Sequence, residues 1–446
     1  MRLPLLLSML MATVLSSDVT VILVGSRYKL TEQRVREQRE RIMEDCHVEK
    51  IKCHVYDALN EWPESEGMWT LFPAILKLPT SPNWTILASD TSRISISRLK
   101  MFTANKSANE DVYSGFGLVD KEPTIIHHFG MNVPENFRYP LLYAGILLSR
   151  SVVQKIQSTI STERVNFAID ASYEFSLSLH KWHNLHLTHE PNYFCPFRED
   201  FESETCIVHA KIPTQGQSVL PDELVHVMIK TFSGHHTTRL PVLQHTWTRD
   251  IQRIEYCSDK ADSKIPTIDL GVQNTEHGHC GKTWAILRRF LQVSGDGAKW
   301  LLVADDDTLM SWTRLKKMLA AYDPDDAIII GERYGFGFGM QGDSGYDYPT
   351  GGSGMIFSRS AVENLLDTCP SCASDSDPDD MTIGMCAIRS GISIIHEPRL
   401  HQARPQDYAA EYLHHPISFH KYTEIDPMMV FYYYLVDEDD YRKTEL

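Results

Sequence analysis

Two apolar runs in this chain sit directly behind a tryptophan. Trp84-Thr-Ile-Leu-Ala-Ser89 and Trp300-Leu-Leu-Val-Ala-Asp305 each read as a short buried strand. Each is followed by Arg-Leu-Lys, at 98–100 and 314–316, which reads as the helix after the strand. Strands alternating with helical stretches predict an α/β sandwich with a mostly parallel sheet. A third apolar run, Leu5 to Leu15, has a different layout. It follows Arg2 and ends at Ser16-Ser17-Asp18, the pattern of a signal peptide cleaved near Ser17 or Asp18. It is shorter than the roughly 20 residues that span a bilayer. No later run has the length and apolarity to span, so a soluble mature chain is expected.

The pattern repeats. Asn83-Trp84 … Ser89-Asp90-Thr91 parallels Lys299-Trp300 … Asp305-Asp306-Asp307. Tyr139-Pro140 … Gly145-Ile-Leu-Leu-Ser149-Arg150-Ser151 parallels Tyr348-Pro349 … Gly354-Met-Ile-Phe-Ser358-Arg359-Ser360. His189-Glu190-Pro191 parallels His396-Glu397-Pro398. Three matches in one order at nearly constant spacing predict two copies of one domain, roughly 18–215 and 216–446. The copies differ at polar positions. Ser89-Asp90-Thr91 stands where the second has three aspartates, Leu142-Tyr143 where it has Gly351-Gly352, and Phe194 opposite His401. One working domain and one degenerate partner is the economical reading.

Charge narrows the function. The formal net charge is −16. Without a long Lys/Arg run, binding to a nucleic-acid backbone or an anionic membrane surface is disfavoured. The nine cysteines suit an oxidising compartment. Cys46/Cys53, Cys195/Cys206 and Cys257/Cys280 are close in sequence and are candidate bridges, although spacing does not fix connectivity. The odd count leaves at least one thiol over. Cys369-Pro-Ser-Cys372 follows a helical stretch and precedes an acidic loop, which favours a structural role over a redox one. No second pair has zinc-site spacing. Asn83 and Asn105 open glycosylation sequons. Asn83 abuts a buried strand, so Asn105 is the better glycan site. Lys443-Thr-Glu-Leu446 resembles the retrieval signal of the endoplasmic reticulum, with Thr where Asp is usual. The lumen of that organelle is the expected location.

The candidate chemistry lies in the second copy. Asp305-Asp306-Asp307 follows an apolar strand, and open α/β sheets bind ligands beyond the carboxyl ends of their strands. Side-by-side carboxylates fit a solvated turn or a divalent cation that bridges to phosphate. The matching strand without the triplet favours the cation. Gly331 to Gly339 is a flexible glycine/aromatic stretch, and Thr350-Gly-Gly-Ser-Gly354 lets backbone approach a ligand closely. Tight turns would serve both equally well. Asp379-Asp380 opens a helical segment, where acidic residues also cap. His396 and His401 share an extended segment.

Taken in order, Asp-Asp-Asp, Thr-Gly-Gly-Ser-Gly, Pro378-Asp-Asp-Met-Thr-Ile-Gly384 and Leu400-His-Gln-Ala-Arg-Pro405 resemble the fringe-type β-1,3-glycosyltransferases. The Gly331-Glu-Arg-Tyr-Gly-Phe-Gly337 segment, Leu400 to Pro405, Ile417-Ser-Phe-His-Lys421 and the retrieval-like tail resemble the members that add glucose to O-linked fucose on thrombospondin type 1 repeats. The specific motifs cover about 231–426. The resemblance implies tandem GT-A-like (Rossmann-like) domains, a UDP-glucose donor and Mn2+ or another divalent cation. It implies Asp307 and His401 as metal ligands, with Asp305 and Asp306 facing the nucleotide. Arg239 and Lys282 fall on the donor side, and Glu332, Gly351 and Gly352 near the sugar. Asp380, or alternatively Asp379, would be the general base. Two other classes remain: a luminal glycoprotein-binding protein on a disabled transferase scaffold, and a metal-dependent phosphate-ester hydrolase.

Overall fold

The computed structural model describes residues 18–63, 67–78, 82–120, 136–159, 169–197, 205–212, 216, 218–295, 297–339, 344–421 and 425–437. The leader segment, residue 215 at the expected domain boundary and Lys443–Leu446 lie outside the described residues. Among the described residues no helix is long and apolar enough to cross a membrane.

Two sheets carry the fold. The first runs, edge to edge, Lys52–Asp57, Asp18–Val24, Trp84–Ser89, Ile146–Ser149, Tyr113–Gly115 and Thr188–His189. The second runs Thr267–Asp269, Ile254–Ser258, Val225–Lys230, Trp300–Asp305, Met355–Ser358, Ile328–Gly331 and Ser393–His396. Apart from the extra edge strand of the second, order and direction agree. Neighbours are parallel except around Ile146–Ser149 and Met355–Ser358, which run antiparallel to both flanking strands.

The sequence matches fall on equivalent positions. Trp84 pairs with Ser149, and Trp300 with Ser358. Each serine then caps the following helix, accepting from Val152 N at 3.4 Å and from Ala361 N at 3.1 Å. Arg98–Lys100 and Arg314–Lys316 lie in the helices Ile96–Thr103 and Trp312–Leu319, as their pattern predicts.

Alternation along the second sheet builds its two core layers. Val225, Val227, Ile229, Leu302 and Ala304 pack with Leu315 and Met318 of Trp312–Leu319. Met228, Leu301 and Val303 pack on the other face with Trp284, Ile286 and Phe290 of the helix Cys280–Val293. Burial on both faces explains why these strands are nearly all apolar.

Four disulfides are present. Cys46–Cys53 and Cys195–Cys206 form as the spacing suggests. Cys257 does not pair with Cys280. It lies inside the strand Ile254–Ser258, fully buried and free. Cys280 opens a helix and instead meets Cys372, while Cys369 meets Cys386. The two cysteines of the Cys-Pro-Ser-Cys motif thus enter separate bridges, a structural role. Asn105 is exposed, whereas the Asn83 side chain is half-buried and accepts from Arg150.

Non-reducing peptide mapping should recover these four bridges, with Cys257 alkylated only after denaturation. A Cys257–Cys280 cross-link would contradict the packing of that strand.

Candidate active site

Two strand ends create the site. Val225–Lys230 and Trp300–Asp305 are parallel neighbours, in register with Lys230 beside Asp305. The chain turns after Asp305 and forms a short strand, Thr308–Met310, antiparallel to Ser418–His420. That pairing sets His420 opposite Thr308 and brings its Nε2 to 3.0 Å from Asp307 and 3.7 Å from Asp305. Donor atoms of Asp305, Asp307 and His420 all lie within 4.8 Å of one another. Two carboxylates and an imidazole suit a manganese-like divalent cation. Gly352 makes room, since a Cβ there would overlap the His420 ring.

This corrects one expectation. His401 is not at the triplet: it is fully buried, with its ring 4.9 Å from Phe419 and 4.4 Å from Tyr408. Its backbone N–H donates to Ser418 Oγ at 3.2 Å, and His420 supplies the imidazole. Asp305, expected with Asp306 to face the nucleotide, lies with Asp307 and His420 in the group that could hold a cation. Asp306 turns the other way and accepts from Thr231 at 2.8 Å, Arg239 at 2.7 Å and His235 at 2.9 Å.

A second acidic centre adjoins the first. Lys230 Nζ lies 3.0 Å from Asp305 and 2.7 Å from Asp379. Asp379 also accepts from Thr283 at 2.6 Å. Burial raises the Asp379 pKa, but Lys230 and Thr283 outweigh it and hold it low. Asp380 sits beside it in the first turn of the helix Asp379–Ser390. Its carboxylate accepts from Met381 N at 2.7 Å and from the Gly351 backbone. Burial, and then the Asp379 charge, push Asp380 up to about 7. Neighbouring carboxylates with opposite shifts divide the labour: Asp379 stays charged as a partner for Lys230, and Asp380 can accept a proton near neutrality.

Burial alone would also raise Asp307, but the bond and charge of His420, with Arg239, hold it at about 2. His420 is shifted upward despite its burial, chiefly by Asp307. A cation competes with a proton for His420, so metal affinity should rise with pH.

A cleft of about 510 Å³ opens onto these groups. Lys230, Arg239, Lys282, the three aspartates and His420 line it. Lys282 bonds Thr231 O and Asn274 at 2.7 Å each, and burial lowers its pKa. Arg239 and Lys282 thus sit where an anion beside the cation would lie. Gly351 faces Lys230 and Asp379 across open van der Waals distance. Glu332 lines a different cavity, between the two domains. It is buried there, accepting from Gln402 N at 2.6 Å and Tyr408 at 3.1 Å. Lys230 and His420 were missed as site residues. The segment containing His420 had drawn notice, but the strand pairing that aims it is a long-range contact.

His420→Ala should abolish tight Mn2+ binding in calorimetric titration, and Gly352→Ala should weaken it about 10-fold or more. His401→Ala should lower Tm yet leave Mn2+ affinity nearly unchanged. Full affinity in His420→Ala would remove that residue from the cation set.

Residues 220–442 match the Fringe-like family model. The chain is 39% identical over 399 residues to a Beta-1,3-glucosyltransferase of Mus musculus, covering 87% of this chain and 80% of that protein. The Homo sapiens Beta-1,3-glucosyltransferase is 39% identical over 392 residues, covering 86% and 78%. A Glycoprotein-N-acetylgalactosamine 3-beta-galactosyltransferase 1 of Xenopus laevis is 28% identical over 155 residues, covering 34% and 41%. The names of these relatives share the transfer of a sugar into a β-1,3 linkage. The chain belongs to the Fringe-like family of β-1,3-glycosyltransferases.

Proposed function

We propose that this chain moves glucose from UDP-glucose to the 3-hydroxyl of O-linked fucose on thrombospondin type 1 repeats, with inversion, in the lumen of the endoplasmic reticulum. The observation that carries the reading is the pairing of Asp380 with the Asp305–Asp307–His420 set through Lys230 and Asp379. A proton acceptor at a helix start and a cation site at a strand end thereby lie side by side. Identity to β-1,3-glucosyltransferases along most of the chain supports glucose as the sugar. Four disulfides support an oxidising lumen.

The chemistry follows from side chains of this chain. Asp380 takes the proton of the attacking hydroxyl as general base. The oxygen then attacks the anomeric carbon while its bond to the diphosphate breaks, and one such displacement turns an α-linked donor into a β product. Arg239 and Lys282 hold the diphosphate by charge. Asp305, Asp307 and His420 would hold the divalent cation, Mn2+ being the expected one, which neutralises charge developing on the leaving diphosphate. Lys230 keeps Asp379 ionised, and Asp379 in turn raises Asp380.

The first domain reads as a degenerate copy of the second. Its Arg93–Ile94 strand pairs antiparallel with Val208–His209. Extending that register by one residue sets Ala210 opposite Ser92, where the pairing of Thr308–Met310 with Ser418–His420 sets His420 opposite Thr308. The aspartate triplet and the imidazole are both missing from this copy.

Incubation with Mn2+, UDP-glucose and an O-fucosylated thrombospondin repeat should add one hexose by intact mass. Gain of a different sugar from competing donors would redirect the reading to another fringe-like specificity. Asp380→Asn should cut kcat by about 10²- to 10⁴-fold and leave UDP binding intact; loss of UDP binding would argue against a base role. Because the base must be deprotonated and burial raises its pKa, transfer should climb with pH through about 7 and level off above it.

A further inference from the structure

The glycine/aromatic stretch at 331–339 is left unused by the transfer chemistry. Its strand Arg333–Phe336 pairs antiparallel with Tyr346–Pro349, with Tyr334 opposite Tyr348 and Gly335 opposite Asp347. The first domain grips one side of this hairpin. Arg333 enters the cavity at the carboxyl ends of the first sheet, lined there by Val24, Ser26, Gly67, Asp90 and Tyr143. Its guanidinium donates to Ser26 Oγ at 3.4 Å and lies over Gly67, where a Cβ would overlap it. Trp69 stacks flat on Phe338, with centroids 4.6 Å apart and planes 5° from parallel. The same indole covers Gly335, which has no room for a Cβ. Gly335 N donates to Ile169 O at 3.3 Å.

The other side of the hairpin touches the base helix. Gly384 of Asp379–Ser390 packs directly on Asp347 and Tyr348, again without space for a Cβ. Asp380 opens that helix, and its charge reaches Tyr346 and Tyr348. A continuous run of contacts therefore links the first domain to the base: Gly67 and Trp69, the hairpin, Gly384, Asp380.

We infer that the first domain positions the acceptor side of the second, with Arg333 and Trp69 clamping the 333–349 hairpin and thereby holding Asp380 in place. The cleft in which an active copy would seat its donor has become a socket for a side chain of its neighbour. Arg333 and Trp69 are positioning residues and touch no substrate. The inference rests on Asp380 acting as the base.

The test uses the full chain. Arg333→Ala and Trp69→Ala should each lower kcat for transfer by about 10- to 100-fold, the scale of a small misplacement of a reacting group. UDP affinity in the presence of Mn2+, and the KM for UDP-glucose, should stay within about twofold of the parent, and Arg333→Lys should recover part of kcat. Gly67→Ala, which crowds the socket, should mimic Arg333→Ala. Combining the two should cost no more than either alone. Additive losses, or a parallel loss of UDP affinity, would overturn the clamp and indicate general destabilisation. Unchanged kcat in Arg333→Ala and Trp69→Ala would overturn it too, while Asp380→Asn independently reports on the base.

Discussion

One buried cation holds this site together. Lys230 is 7% exposed and touches Asp305 on one side and Asp379 on the other. Burial alone would strip its proton, but the two carboxylates outweigh that and keep it charged. Such an arrangement is stable only when every charge is answered; leaving one partner unanswered typically costs about 3–5 kcal/mol. Asp305 belongs to the cation set and Asp379 to the base pair, so Lys230 fixes the distance between the two centres. It also sets the contrast between the paired aspartates. By keeping Asp379 negative it leaves Asp380 beside a permanent charge, which favours a proton on Asp380. Lys230 thus acts on Asp380 through Asp379, while its own charge pulls Asp380 the other way.

The glycines at 351 and 352 serve both centres at once. Gly351 gives its backbone N–H to Asp380. Gly352 lies flat against the His420 ring, and its carbonyl accepts from Thr308 at 2.8 Å. A side chain at 352 would press on the His420 ring, whereas one at 351 would meet Lys230 and Asp379 at ordinary contact distance. At Gly352 the close approach that glycine permits is to the His420 ring.

The fold was largely legible because the repeat exposed it. Tryptophan-led strands, serine-led helices and the His-Glu-Pro corners reappear in the structure at matching places in two sheets of one topology. The aspartate triplet and the acidic helix start were legible for the same reason: each is local. His420, Lys230 and the Cys280–Cys372 bridge were not, since each depends on where distant segments meet. His401 shows the hazard. It lies in a conspicuous motif, but its backbone runs into the core, and only the pairing of Thr308–Met310 with Ser418–His420 decides which imidazole reaches Asp307. Glu332 is a similar case. It follows the strand Ile328–Gly331, yet its carboxylate turns to Gln402 and Tyr408.

If the first sheet belongs to a degenerate copy, as proposed, the boundary between the two domains gives a reason for keeping it. An active cleft must leave its strand ends open for a donor, and open strand ends leave polar backbone and charge exposed to water. Once the triplet and imidazole are gone, nothing opposes filling the cleft from outside. Arg333 does so, and Tyr143 stacks on His396 beside it at 6.3 Å. Lys29 adds ion pairs to Asp323 at 2.7 Å and Asp326 at 2.8 Å, but these are solvent-exposed and contribute little. The firm part of the junction is the buried, stacked part, and it bears on the hairpin that supports the base helix. Loss of chemistry in one copy and support of chemistry in the other are then two consequences of the same packing.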